Sequence, residues 1–102
     1  TLNETSQQWD SPNGWAPLHY IVIEGLNNYG YIDEAKTIAH KWLKTCNDWY
    51  GYHGEFQEKY NVVNTKLKPL EGVYPSQTGF GWTNGVFVYL CDEYIDTVKP
   101  LF

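Results

Sequence analysis

Met and Arg are both absent from this chain of 102 residues. A chain without Met carries no initiator, and it opens on Thr1-Leu2-Asn3-Glu4 with no apolar leader, so it reads as a piece of a longer polypeptide. Without Arg, the seven cations are all Lys, and the formal charge is −5. Tracking a phosphate backbone needs a basic excess, so nucleic acid is excluded as a partner. Any bidentate guanidinium contact to a ligand has to come from outside these residues. No apolar run approaches the ~18–20 residues that span a bilayer. Cysteine is scarce: Cys46 and Cys91 each fall on an apolar helical stripe, which suits either buried free thiols or a disulfide. His19, His40 and His53 show no metal-ligand spacing with carboxylates or thiols. Gly-rich phosphate loops, Ser-centred elbows and paired-Cys zinc motifs are missing too, so neither metal nor cofactor is expected.

Aromatic rings are abundant, at 18% of residues with nine Tyr and five Trp. More of them lie beside Gly and Asn in turn-like segments than a core requires, as in carbohydrate sites. The length allows one domain. Three stretches carry a helical period. In the first, Leu18, Ile21, Val22, Gly25, Leu26 and Tyr29 form one apolar face, with Pro17 near the start and Gly30 as a left-handed cap. In the second, Asp33 is the expected N-cap, Ala35, Ile38, Ala39, Trp42, Leu43 and Cys46 form the stripe, and Gly51 is the expected stop. The third starts after Trp82 with Thr83 as cap, carries Val86, Phe87, Leu90, Cys91 and Tyr94, and ends before Pro100. The short link between the first two predicts an antiparallel helical hairpin. About thirty residues between the second and third lack a helical period, too many for an idle connection, which marks them as a functional segment. Gly54 to Val63 within it alternates mildly and reads as extended.

Two strings carry the chemistry. Gln8-Trp9-Asp10-Ser11-Pro12-Asn13-Gly14-Trp15-Ala16-Pro17 places two Trp, a carboxylate and a turn directly before an apolar helix. Trp faces cover sugar C–H faces, while Gln, Asp and Asn hydrogen-bond hydroxyls or form the turn. Gln77-Thr78-Gly79-Phe80-Gly81-Trp82-Thr83-Asn84-Gly85-Val86 is the second, its glycines suiting close backbone approach to a ligand. Both have structural readings as well: a capped turn around Asp10, core rings at Trp9 and Trp15, and a simple loop-to-helix entry before Trp82.

The first string resembles the Gln-Trp-Asp-x-Pro-x-Gly-Trp-x-Pro signature of the trehalases of glycoside hydrolase family 37. The second resembles the Gln-x-Gly-Phe-Gly-Trp-Thr-Asn-Gly segment near the end of the same catalytic domain. Order and separation also agree, and the likeness runs from about residue 6 to 95. It implies an all-α fold, the C-terminal portion of an (α/α)6 toroid of helical hairpins with pocket-forming loops, and makes residues 1–102 a C-terminal fragment of one catalytic domain. Phe56-Gln57-Glu58-Lys59-Tyr60-Asn61-Val62 resembles the family's Glu-Lys-Tyr-Asp-Val stretch, with Asn61 in place of Asp. The resemblance makes Glu58 the general base of an inverting hydrolase that splits α,α-trehalose into two glucoses. It makes Trp9, Asp10, Asn13, Trp15, Gln77, Phe80 and Trp82 substrate-binding residues. The acid is an upstream Asp in the family, so the partner that completes the site is an upstream part of the domain. Read without the resemblance, Glu58-Lys59 is an ordinary surface pair.

One departure bears on specificity. The family's Gly-rich run ends in Gly-Glu-Tyr, and its Glu contacts substrate; here Val73 stands at that place, Glu71 lies two residues earlier, and Lys66-Leu67-Lys68-Pro69-Leu70 replaces the glycines. A glucosidase of the same fold acting on another α-glucoside, and a non-catalytic sugar-binding or structural piece, are therefore alternatives. The sequon Asn3-Glu4-Thr5 leans toward a secreted or lumenal route.

Overall fold

The computed structural model describes residues 5–72 and 74–98; the start of the Asn3 sequon, Val73 and Pro100 lie outside them. Six elements follow in chain order: β1 (Asn13–Trp15), α1 (Ala16–Asn28), α2 (Ile32–His53), β2 (Lys59–Asn61), α3 (Gly81–Glu93) and α4 (Ile95–Val98). The chain is predominantly helical, in keeping with an all-α fold. Among the described residues, no helix is long and apolar enough to cross a membrane.

Helix α2 buries the stripe the sequence predicts: Ala35, Ala39, Trp42, Leu43 and Cys46 sit in the core, with Ile38 packed against them. Its ends differ from expectation. Tyr31, not Asp33, is the N-cap residue; Asp33 lies in the first turn, where a carboxylate faces unpaired N–H groups. Gly51 stays inside the helix, and Gly54, at φ 74°, ends it in the left-handed conformation. The expected stop at Gly51 failed because an interior glycine costs only about 1 kcal/mol, which packing on the Trp42–Cys46 face outweighs. In α3 the N-cap is Phe80, and Thr83 lies inside the helix, fully buried. Thr83 is not the cap because its hydroxyl donates to the Glu58 carbonyl at 3.3 Å instead.

Helix α1 departs most. Leu18, Ile21, Val22 and Tyr29 are exposed, while Ala16 and Ile23 are buried. The inward face carries polar residues that find partners. His19 Nδ1 lies 2.8 Å from the Trp15 carbonyl, and its ring stacks on Trp42 with centroids 4.0 Å apart. Asn27 Nδ2 donates to the Tyr94 hydroxyl at 3.0 Å, and Tyr89 donates to Glu24 at 2.8 Å. Of the expected stripe, Leu26 still packs against the core, while the face turned inward sets Ala16 and Ile23 among polar residues that have partners.

β1 and β2 pair antiparallel, with Asn13 opposite Asn61, Gly14 opposite Tyr60 and Trp15 opposite Lys59. The close approach depends on Gly14, where a Cβ would meet Val62 Cγ1 at 2.4 Å and His19 Cε1 at 3.0 Å. This small ribbon ties the first string to the aperiodic segment. A second tie joins that segment to the other string: Gln57 bridges Thr78, Glu58 N donates to the Gln77 carbonyl at 2.8 Å, and Gly79 N donates to the Phe56 carbonyl at 2.8 Å.

Candidate functional site

The two strings and the Glu58 segment therefore meet in space, although about seventy residues separate the first from the last. Register explains the central contact. Side chains directly opposite on paired strands share a face, so Lys59 lies against Trp15, its Nζ 5.2 Å from the ring centroid. The same ammonium lies 5.5 Å from the Tyr74 ring and 3.0 Å from Glu58 Oε2. Lys59 is 0% exposed and Glu58 1%. The surface-pair reading of Glu58-Lys59 is overturned: both charges lie in the interior, where a cation is stabilised by the ring faces and the carboxylate together.

Tyr74 completes the carboxylate's shell, donating to Glu58 Oε1 at 2.6 Å. That donation, then burial, then the carboxylate's charge push the Tyr74 phenol above its ordinary value, so it keeps its proton through neutral pH. Gln8 beside it pulls weakly the other way. Gln8 Oε1 is buried with no hydrogen-bond partner among the described residues. Gly72 admits Gln8: at φ 74°, a Cβ there would come within 2.5 Å of the Gln8 Cβ.

Around this polar centre stand the rings. Trp9 stacks on Trp15 with centroids 3.7 Å apart and planes 11° apart. Trp82 meets both edge-on, at 6.4 Å from Trp9 and 5.8 Å from Trp15, and Phe80 leans on Trp82 at 4.9 Å. Trp15 is buried, whereas Trp9 is 53% and Trp82 38% exposed. The result is an open aromatic shelf with a buried ring behind it.

The remaining predicted site residues are tied to the loops around them. Asn13 Nδ2 donates to the carbonyls of Gln8 and Leu70 at 3.0 and 2.9 Å, and its Oδ1 accepts from Leu70 N at 2.9 Å. Asp10 accepts the Thr5 hydroxyl through Oδ2, and its carbonyl accepts Asn13 N at 3.0 Å. Gln77 is exposed; its Nε2 donates to the Pro75 carbonyl at 2.7 Å. Asn61 Oδ1 accepts from Val63 N and Asn64 N, a turn that an Asp oxygen would make equally well. This accounts for the Asn61 departure without loss of geometry.

Lys59, Tyr74, Gln8 and Thr83 have positions here that sequence reasoning did not assign them. Tyr74 carried a faint signal, since it stands at the Tyr of the family's Gly-Glu-Tyr. Glu71, the candidate replacement for the missing Glu, is exposed and lines a cavity of about 270 Å³ with His53, Gln57, Lys68 and Ser76. Larger concavities run beside α2: one of about 400 Å³ at His19, Trp42 and Val62, another of about 770 Å³ at Tyr52, His53 and Lys66. They hold none of the rings of the shelf, and the chemistry at Glu58 outweighs their size. Among the described residues, no group of three or more His, Cys, Asp or Glu side chains could hold a metal ion. Both cysteines are free thiols. Against this geometry, the family model described as Trehalase matches residues 1–95.

Proposed function

The chain belongs to the trehalase family, and from that premise we propose that it supplies the general base and part of the sugar subsite of an inverting glycosidase acting on α,α-trehalose. The observation that carries the proposal is the buried Glu58 carboxylate, held by Lys59 and Tyr74 behind the Trp9–Trp15–Trp82 shelf. A base has to be ionised, oriented and within reach of one water. In the proposed step, water attacks an anomeric carbon while the bond from that carbon to the bridging oxygen breaks. Glu58 takes the water's proton, and a carboxylic acid on the opposite side, ~6.5–9.5 Å away, protonates the leaving oxygen. The acid and the guanidinium contacts come from outside these 102 residues. Trp9 and Trp82 cover a glucose face; Trp15 backs them, Phe80 and Gln77 edge the shelf, and Asp10 and Asn13 brace the loop beneath it.

The exposed face of α1, with Leu18, Ile21 and Val22, fits a helix that packs on further hairpins of a toroid. The test of the base is Glu58→Gln in the polypeptide that carries this chain. Turnover falls by at least the ~10²-fold typical of general-base loss; near-normal turnover removes Glu58 from the role. Val73 favours a second reading, another α-glucoside as substrate. A panel of α-glucosides decides it: a higher kcat/KM for any of them than for trehalose selects that reading.

A further inference from the structure

Glu58 has two oxygens in unlike surroundings. Oε2 faces Lys59, which is fully buried, while Oε1 faces the hydroxyl of Tyr74, which is 38% exposed. Each carboxylate oxygen has two lone-pair sites, so Oε1 keeps one after accepting Tyr74, next to a side chain that is itself partly exposed. The titratable groups placed against the carboxylate are Lys59 of β2 and Tyr74 of the following loop. Helix α3 adds the Thr83 hydroxyl on the Glu58 carbonyl, and the second string adds the Gln77 carbonyl on Glu58 N. Main chain and side chain are thus both pinned, and two donors converge on the carboxylate, Tyr74 at Oε1 and Lys59 at Oε2.

We infer that Lys59 and Tyr74 are positioning residues for Glu58, Lys59 anchoring the carboxylate through Oε2 and Tyr74 fixing the direction of Oε1, the oxygen that takes the proton from water. This rests on the proposed role of Glu58 and deepens it. Burial disfavours a charged carboxylate, and a neighbouring cation or a hydrogen bond to the charged form favours it. In this site the cation is Lys59, and its own burial is tolerated because the carboxylate and the Trp15 and Tyr74 faces surround it. The pair therefore serves the placement of one carboxylate rather than the stability of the fold, since buried pairs contribute little net stability. Tyr74 neither gives nor takes a proton in the step; its hydroxyl shares Oε1 with the attacking water.

The experiment measures kcat and KM for trehalose separately, per folded molecule, in the full polypeptide with Tyr74→Phe, Lys59→Met and Lys59→Arg. For Tyr74→Phe and Lys59→Met, kcat falls by about tenfold or more while KM stays within about twofold of the wild type, the pattern of an interaction made only in the transition state. Lys59→Arg, which keeps a cation at Oε2, recovers part of the loss. An unchanged kcat in both Tyr74→Phe and Lys59→Met, or a loss carried by KM alone, overturns the inference. If Lys59→Met yields no folded protein, Tyr74→Phe decides alone. Glu58→Gln separates the two levels. An active Glu58→Gln removes the base itself; an inactive one with unchanged kcat in the other variants removes only the positioning role.

Discussion

Two lysine–carboxylate pairs in this chain have similar lengths and opposite consequences. Lys44 and Asp48 lie one turn apart on α2 with 2.7 Å between charges, and their side chains are 59% and 53% exposed. Lys59 and Glu58 are 3.0 Å apart and sealed from solvent. Distance alone would rank the α2 pair first. Water reverses the ranking. Exposed pairs at this helical spacing contribute about 0.3–0.5 kcal/mol because solvent screens them and two long side chains lose freedom. A buried pair gains and loses large terms that nearly cancel, yet removing one partner strands a charge. The Lys59–Glu58 pair is thus a poor way to stabilise a fold and a good way to hold one carboxylate in one state and one place.

The comparison breaks most sharply at Lys59. Lys59→Met should cost about 3–5 kcal/mol of stability, the usual penalty for one half of a buried pair, read from urea unfolding. A loss below about 1 kcal/mol would put the pair in the exposed class. Glu58→Gln strands the Lys59 charge in turn and should cost a similar amount, about 3–5 kcal/mol, even though the amide oxygen can still accept from Lys59; a loss below about 1 kcal/mol would again put the pair in the exposed class.

Cys46 and Tyr60 extend the comparison to groups buried in their neutral forms. Burial pushes both far above their ordinary values of 9.0 and 10.0, the largest cause in each case. A raised folded-state value means stability is intact below the unfolded value and falls as pH rises past it, because the unfolded chain ionises first. Unfolding midpoints should therefore hold steady up to about pH 8 and decline between about pH 9 and 11. Slow reaction of the Cys46 thiol with an alkylating reagent in the native state accompanies this. The smallest effect is expected at Lys44→Met, at most about 0.5 kcal/mol; a loss comparable with that at Lys59 would erase the distinction between the two pairs.

The helices were legible where one face dominated. Ala35 to Cys46 repeats at helical spacing with charged residues between, and α2 buries that face. Helix α1 has apolar residues nearly all round, so period alone chose Leu18, Ile21 and Val22, while the His19–Trp15 and Asn27–Tyr94 contacts turned the other face inward. Gly51 and Gly54 look alike in a string of letters; which one ends α2 depends on where packing on the core runs out. At the candidate site, the strings flagged Glu58, Trp9, Trp15 and Trp82 as residue types suited to sugar chemistry. The burial of Lys59 and the place of Tyr74 were not legible, because they rest on contacts of Lys59 with Trp15 and of Tyr74 with Glu58, between residues far apart in the chain that no local spacing encodes.

Composition and local pattern determined much by themselves. An acidic chain with no Arg, rings beside turns, three helical periods and a carboxylate in an aperiodic stretch follow from residue order, since charge, propensity and period are local properties. Tertiary structure alone decided which charges left water. Pairing of Trp15 with Lys59 across β1 and β2, and the loop that lays Tyr74 on Glu58, turn adjacent residues of ordinary type into a sealed pair. Desolvation is set by everything that surrounds a group, and no reading of its neighbours along the chain supplies that.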